Sequence, residues 1–294
     1  MSQSRQSAHE SAEPPGADRK EAPVVASGDE SDVVSGVAAD FESGHRLGRH
    51  RHRRAQLVYA VEGVMTVETD EGLWVVPPLR ALWVPPGVVH SIRMTGRVQM
   101  RTVYFDAAAL AQANAPARCA VLGVSPLLRE LILRIVRIDE SDASDEKIEP
   151  SQRDRIVGVL LDELCESPVN PLEVPMPHDP RLRRIADAVL ADPSDNRDLA
   201  AWASFAGVGE RTLARLFPNE TGMTFVRWRQ QVRLLRALER LGVGEPVTTV
   251  ALEAGYSSTS AFVKLFRESF GVTPGRYFAV DAASAADAVA STRD

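Results

Sequence analysis

The sequence has little cysteine, no long apolar run and no excess of positive charge. Cys119 and Cys165 are too few for a disulfide scaffold, and their apolar neighbours predict buried, reduced thiols in a cytoplasmic protein. No apolar run reaches the roughly 18 residues of a membrane span, and the first residues lack a secretory apolar core, so we expect no membrane contact. A net charge of −6 argues against a general nucleic-acid binder.

The 294 residues suffice for two domains, and the composition changes along the chain. Residues 1–32 and 281–294 are rich in small and polar residues, which predicts disordered tails. The proline-rich segment 167–180 predicts an extended linker and a domain boundary. Within 197–280 basic residues outnumber acidic ones, which favours a DNA-reading module joined to an acidic partner domain.

Two stretches of the C-terminal third, 199–222 and 247–275, each predict a pair of short helices with a tight turn. Gly207 and Gly255 lie where the first helix of each pair must end and the chain must reverse, a place that favours positive φ. A long amphipathic helix over 225–241 joins the pairs. We interpret its arginines as surface charges or as partners of Glu220 or Glu239.

The second helix of each pair leaves small polar and basic side chains on its outer face, which suits the major groove of DNA. The first of these helices is predicted to run from Glu210 to near Phe217, and Ser257 or Ser258 caps the second. Arginine can bind guanine through two hydrogen bonds, whereas lysine can simply hold phosphate. The candidate DNA-binding residues are Arg211, Thr212, Arg215, Thr259, Ser260, Lys264 and Arg267.

The C-terminal third contains two long runs, LAAWASFAGVGERTLARLFPNETGMTFVRWRQQVRLLRALERL and VALEAGYSSTSAFVKLFRESFGVTPGRY. In them ETG, the WR pair, the AGY turn, SAF and FGVTPGRY agree at once with one family pattern. Residues 181–280 thereby resemble the DNA-binding domain of AraC/XylS-type transcriptional regulators. The resemblance implies seven helices, with two helix-turn-helix units that enter successive major grooves on one face of double-stranded promoter DNA. It also implies RNA polymerase as a further partner.

Residues 33–106 contain short β-branched and aromatic runs separated by glycine and proline, which predicts a small barrel or sandwich. Gly44, the HRH run at 50–52, Gln56 and Gly63 resemble the first cupin motif, and PPGVVH at 85–90 resembles the core of the second. AraC-type regulators often carry a cupin-like sensor before the DNA-binding domain. The resemblance therefore implies an effector-sensing domain.

The cupin resemblance implies that three histidines could hold a divalent transition metal: His50, His52 and His90. Gln56 stands where metal-binding cupins usually carry glutamate, and a neutral amide is a weak ligand. The sequence therefore leaves two alternatives for the cofactor: a divalent transition metal, or no cofactor. Without a metal, the histidines would line an effector pocket or face solvent.

Four arginines surround these histidines in the run GRHRHRR. We interpret them mainly as a solvated strand face, and alternatively as ligands of an anionic effector. The candidate effector-binding residues are Arg49, Arg51 and Gln56.

Further along, Ser125 and Pro126 begin an amphipathic helix, an acidic loop follows over 139–149, and a second helix covers about 151–166. The two helices either cover the barrel or, as the family resemblance implies, form a homodimer interface.

The sequence thus predicts an α+β chain of two domains. A cupin-like β-barrel with a helical pair covers 33–166, and an all-α double helix-turn-helix domain covers 181–280. The predicted function is a sequence-specific DNA-binding transcriptional regulator that senses a small molecule or a metal, rather than an enzyme. Two alternatives stay open: a metal-dependent cupin enzyme fused to a DNA-binding module, and a constitutive DNA-binding protein whose cupin domain only dimerises.

Overall fold

The computed structural model describes residues 33–112, 115–140, 148–170 and 172–278. The predicted disordered tails and most of the acidic loop lie outside these ranges. Within them, no helix is both long and apolar enough to cross a membrane. The predicted domain boundaries stay a prediction.

The N-terminal half is built from two antiparallel sheets, as the sequence predicted. The strands are β1 (Val34–Phe41), β2 (Arg46–His50), β3 (Ala55–Tyr59), β4 (Val64–Thr69), β5 (Gly72–Val76), β6 (Arg80–Val84), β7 (His90–Thr95), β8 (Val98–Phe105), β9 (Ala120–Gly123), β10 (Val169–Asn170) and β11 (Glu173–Pro175). One sheet has the order β1-β8-β3-β6-β9-β10, and the other has the order β11-β5-β4-β7-β2.

Both faces of the six-stranded sheet are covered, which explains why β3 is buried along its whole length. Val58 belongs to the core shared with the second sheet, whereas its neighbours Leu57 and Tyr59 belong to a separate cluster with the helices. Those helices are α1 (Ala107–Gln112), α2 (Pro126–Glu140) and α3 (Pro150–Glu166). A strand with two buried faces is mostly apolar rather than alternating, and Gln56 is the polar residue within β3.

Helices α2 and α3 therefore cover the barrel, one of the two roles predicted for them. Asp139 of α2 accepts hydrogen bonds from the Gly36 amide and from Arg153 of α3, both at 2.6 Å, and so ties the pair to β1. Cys165 is exposed on α3 and Cys119 is only half-buried, so the prediction that both thiols are buried is wrong. Cys165 lies next to the last buried position of α3, Leu164, where the helix turns its side chain outward.

The predicted linker is extended, but it packs against the sheets of the N-terminal half. Its strands β10 and β11 pair with β9 and β5 and so extend one edge of each sheet. The prediction missed this pairing because proline-rich composition indicates an extended chain without indicating its hydrogen-bond partner.

The C-terminal half is helical: α4 (Pro180–Ala191), α5 (Leu199–Ala206), α6 (Glu210–Thr221), α7 (Phe225–Leu241), α8 (Val247–Glu253), α9 (Thr259–Phe270) and a further turn over 274–278. Gly207 and Gly255 have φ of +69° and +80°, as their predicted turns require. Ser258 caps α9 by accepting a hydrogen bond from the Ala261 amide. Trp202 and Trp228 are fully buried in the core of this helical half.

Helix α6 ends at Thr221 rather than near Phe217, so its predicted end was wrong. Pro218 removes only its own amide donor, and the helix continues beyond it. The Thr221 hydroxyl donates to the Phe217 carbonyl at 2.8 Å, and Gly222, with φ of +72°, ends the helix.

We expect Gly207→Ala to lower the free energy of unfolding by roughly 1–2 kcal/mol, because a left-handed backbone strains any residue with a Cβ. A Cβ on Gly207 would have nothing within 4 Å, so the loss would be conformational rather than steric. Gly158→Ala is the control, since Gly158 lies inside helix α3 without a positive φ and an added Cβ there also has open space. Urea unfolding measures both variants. Equal losses would contradict the backbone explanation.

Candidate sensor site and DNA-binding surface

Three histidines meet inside the N-terminal barrel. His50 ends β2, His90 begins β7, and the two face each other in the strand register, while His52 lies in the connection from β2 to β3. All three are buried, and His90 is 0% exposed. The antiparallel pairing of β2 with β7 thus joins the two cupin-like motifs, which are far apart in the sequence.

The imidazole rings are close enough to share one ligand. Potential ligand atoms of all three lie within 4.8 Å of one another, and the ring centroids of His50 and His90 are 4.3 Å apart. The Nδ1 atoms of His50 and His90 lie 2.7 and 3.0 Å from the carbonyl oxygens of Gly48 and Val88. Because a carbonyl only accepts, each Nδ1 carries a proton, and in a neutral ring this arrangement leaves the Nε2 lone pair for a ligand.

Burial decides the charge of His90. Desolvation lowers the pKa of His90 to about 4, and its proximity to His50 and His52 lowers it further, against the hydrogen bond to Val88. The His90 ring is therefore neutral near pH 7, the state in which imidazole binds metals. Its buried Nε2 atom has no hydrogen-bond partner among the residues that the structure describes.

Gln56 lies on β3 and is held in place by the opposite strand. Its Nε2 donates to the Thr102 hydroxyl at 3.0 Å and to the Tyr104 hydroxyl at 3.1 Å, while its buried Oε1 has no hydrogen-bond partner within the described part of the chain. Burial raises the pKa of Tyr104 to about 12, and this ring lies 5.0 Å from that of His52. The polar network therefore adjoins the histidines and contains no negative charge near pH 7.

The donor set fits a borderline divalent metal. The cluster found in the described part of the chain consists of three histidines without a carboxylate. Three imidazole nitrogens with one open position are the ligand set of a catalytic type of zinc site. The unpartnered His90 Nε2 is the buried polar atom that such an ion would satisfy.

The sequence suggested that the four neighbouring arginines form one solvated strand face. The structure shows that they do not. Arg53 is exposed, and exposed Arg49 pairs with Asp70 at 2.9 Å. Arg54 is buried, and its guanidinium donates to Ser35 and to main-chain carbonyls. Its planar five-donor group satisfies several carbonyls at once, which makes burial tolerable.

The predicted DNA-contacting residues lie on the outer faces of α6 and α9. Arg211 and Arg215 are exposed one turn apart on α6. On α9, the outer face lines a shallow groove of about 310 Å³ formed by Thr259, Ser260, Val263, Lys264 and Arg267. Both surfaces belong to the same helical domain, and α7 joins the two units.

Most arginines of α7 are structural. Arg233 donates to the Pro193 carbonyl at 2.7 Å, and Arg229 donates to the Arg197 carbonyl at 2.7 Å. Arg236 pairs with Glu239 at 2.9 Å, one of the pairings the sequence suggested. Glu220 instead accepts hydrogen bonds from the main-chain amides of residues 178–179, at the start of α4, because helix ends leave amides unpaired.

Comparison with known proteins identifies the family. A model of the AraC-like ligand binding domain matches residues 34–153, and a helix-turn-helix domain model matches residues 202–279. The HTH-type transcriptional regulator NimR of Escherichia coli is 38% identical over 230 residues, which cover 78% of this chain and 81% of NimR. The chain belongs to the AraC family of transcriptional regulators.

A second relative of this AraC-family chain matches a shorter part of it. The HTH-type transcriptional regulator RipA of Corynebacterium glutamicum is 32% identical over 103 residues, or 35% of this chain and 31% of RipA. ToxT from Vibrio cholerae aligns with a TM-score of 0.35 and 9% identity over 84% of this chain and 98% of ToxT, a score that adds nothing to the assignment. The family confirms the predicted regulator with a ligand-binding domain.

Proposed function

We propose that this AraC-family regulator senses its effector at a metal centre formed by His50, His52 and His90. The observation that supports this proposal is the buried histidine cluster itself, whose potential ligand atoms lie within 4.8 Å of one another. When bound, a divalent transition metal would supply a positive charge and an open coordination position. The chain's own part is to hold three imidazoles close together, two of them fixed by main-chain carbonyls.

The effector would reach this centre beside Gln56, which β8 fixes through Thr102 and Tyr104. A buried amide oxygen without a partner offers an acceptor to a ligand that carries a donor. Arg49 and Arg51, at the end of β2 next to the histidines, are the proposed contacts for an anionic group on that effector. In a metal-free protein the same pocket would bind the organic effector directly.

For DNA, we propose that α6 and α9 each enter a major groove. Arg211 and Arg215 are the proposed base contacts of α6, with Thr212 beside them. Thr259, Ser260, Lys264 and Arg267 form the matching surface of α9 and supply base and phosphate contacts. Because α7 fixes the distance between the two units, both contact one face of the duplex.

Two further partners belong to the proposal. Leu127 of α2 and Val159 of α3 are 50% and 44% exposed, and these apolar side chains support a homodimer through the helical pair. RNA polymerase is the expected partner of a promoter-bound regulator.

A footprint of the full chain on its own promoter region tests the DNA proposal. We expect two protected major-groove patches on one face of the duplex, with centres about 10–10.5 base pairs apart. Hydroxyl-radical cleavage at fixed salt locates them, and an unrelated fragment of equal length is the control. A single patch, or equal protection of both fragments, would contradict the proposal.

A further inference from the structure

The connecting helix α7 lies directly against the five-stranded sheet of the sensor. A methyl group on Gly242 would overlap Cγ2 of Val64, and one on Gly96 would lie 2.7 Å from Cγ1 of Val243. Near the other end of α7, the Trp228 indole donates to the Pro175 carbonyl at 2.7 Å. The helix that joins the two DNA-reading units is therefore also the helix that contacts the sensor.

A buried carboxylate lies at the centre of this contact. The Glu239 side chain is 5% exposed and accepts hydrogen bonds from Thr66 of β4, from Arg93 of β7 at 2.9 Å and from Arg236 at 2.9 Å. Arg93 also lies 3.3 Å from the Thr66 hydroxyl. A buried charge is tolerated only where it is paired, so this contact favours one relative placement of the two domains.

The same strands carry the histidine centre. His90 and Arg93 lie on opposite faces of β7, because three positions separate them on a strand with alternating sides. On β4, Thr69 pairs with His90, and Thr66 pairs with Arg93. A shift of β7 at the inner face would therefore move the guanidinium that holds Glu239 on the outer face.

We propose that the Glu239 latch, formed by Glu239 with Arg93 and Thr66, docks the DNA-binding domain on the sensor and carries the sensor's state to the DNA-reading helices. The second half of this statement rests on the proposed metal-sensing function. The latch lies at the end of α7 that leads into the second helix-turn-helix unit, where Arg240 pairs with Glu245 and Glu253. Releasing it frees this unit from the sensor.

Arg93→Gln tests the latch in the full chain. Hydrogen exchange of segments 172–178 and 239–245 is expected to accelerate roughly tenfold or more, because these backbones lose their docked partner. Arg93→Lys keeps a charged donor and should stay closer to wild type. Arg101→Gln is the matched control, since it breaks the Arg101–Asp40 pair on the other sheet. Exchange equal to that of the control would overturn the latch.

Gly242→Ala reaches the same contact without changing charge. Gly242 has φ of −64°, so alanine adds only the methyl group that overlaps Val64. We expect it to accelerate exchange in the same two segments. If Gly242→Ala accelerated hydrogen exchange and Arg93→Gln did not, the two domains would be held together by an apolar contact alone. That result would overturn the role of Glu239.

Zinc-dependent DNA binding tests the coupling. Zinc is expected to change the wild-type Kd for the promoter by about 5–150-fold, and Arg93→Gln should abolish this response while keeping zinc stoichiometry. A wild-type response in Arg93→Gln would overturn the coupling. If wild type binds no zinc, the metal proposal fails, and the exchange result alone then supports or overturns the latch.

Discussion

Replacing His50 and His52 together by alanine is expected to abolish stoichiometric binding of zinc or cobalt by the full chain. The pair supplies two of the three imidazoles whose potential ligand atoms lie within 4.8 Å of one another. His90 alone cannot hold a divalent ion against its hydration, because a site of this type needs three protein ligands. Elemental analysis after dialysis against trace zinc measures the loss.

His178→Ala is the matched control for this experiment. His178 is exposed in the segment before α4, and only its main-chain amide hydrogen bonds with Glu220. The control should therefore keep wild-type metal content. Unchanged metal in the double variant would exclude the centre, and loss of metal in both proteins would indicate adventitious binding by surface histidines.

The second large effect is expected at the DNA surface. Arg211→Ala should weaken binding to the promoter site by about 1–3 kcal/mol and relax preference at one base pair, because alanine cannot bind guanine through two hydrogen bonds. Arg211 is exposed at the start of α6, where the first turns of a recognition helix reach the base edges. Competition binding against single-base variants of the site measures both quantities.

Two controls separate base recognition from charge. Arg211→Lys keeps the charge but lacks the planar fork, so it should lose sequence preference and retain most of the salt dependence. Arg137→Ala removes the same charge from an exposed position on sensor helix α2 and should leave DNA affinity near wild type. A uniform loss on all sequences for Arg211→Ala would reduce Arg211 to a phosphate contact.

The helix-turn-helix units were predictable because their signals are local. Helical periodicity, a glycine at each turn and a serine cap specify α5–α6 and α8–α9 within a few residues of their observed ends. The end of α6 was placed too early because Pro218 usually indicates a break, whereas Gly222 actually ends the helix. When a proline and a glycine both occur near the end of a helix, the local sequence does not show which of the two ends it.

The histidine centre was predictable from the cupin-like motifs, since spacing within each motif marks the residues that a barrel brings together. The structure adds the register of His50 with His90 and the main-chain bonds that fix their rings. It also separates the arginines: Arg54 is a buried structural residue, which the charged run did not indicate. Whether an arginine in such a run is buried depends on main-chain carbonyls from distant parts of the chain. The sequence alone does not show where those carbonyls lie.

The interdomain contact was not predictable. Glu239 lies between apolar positions of α7, and a carboxylate on a buried stripe is an available signal, but its partners Thr66 and Arg93 are more than 140 residues away. The pairing of β10 and β11 with the sheets depends in the same way on chain segments far apart. Both features depend on tertiary packing rather than on local propensity.

The central claim is that the histidine centre governs DNA binding. The most direct test is the Kd of the wild-type chain for its own promoter fragment at fixed salt, measured after zinc loading and again after mild chelation. We predict one bound zinc per chain and two Kd values that differ by at least about fivefold. Stoichiometric zinc with identical Kd values, or no bound zinc with intact DNA binding, would contradict the claim.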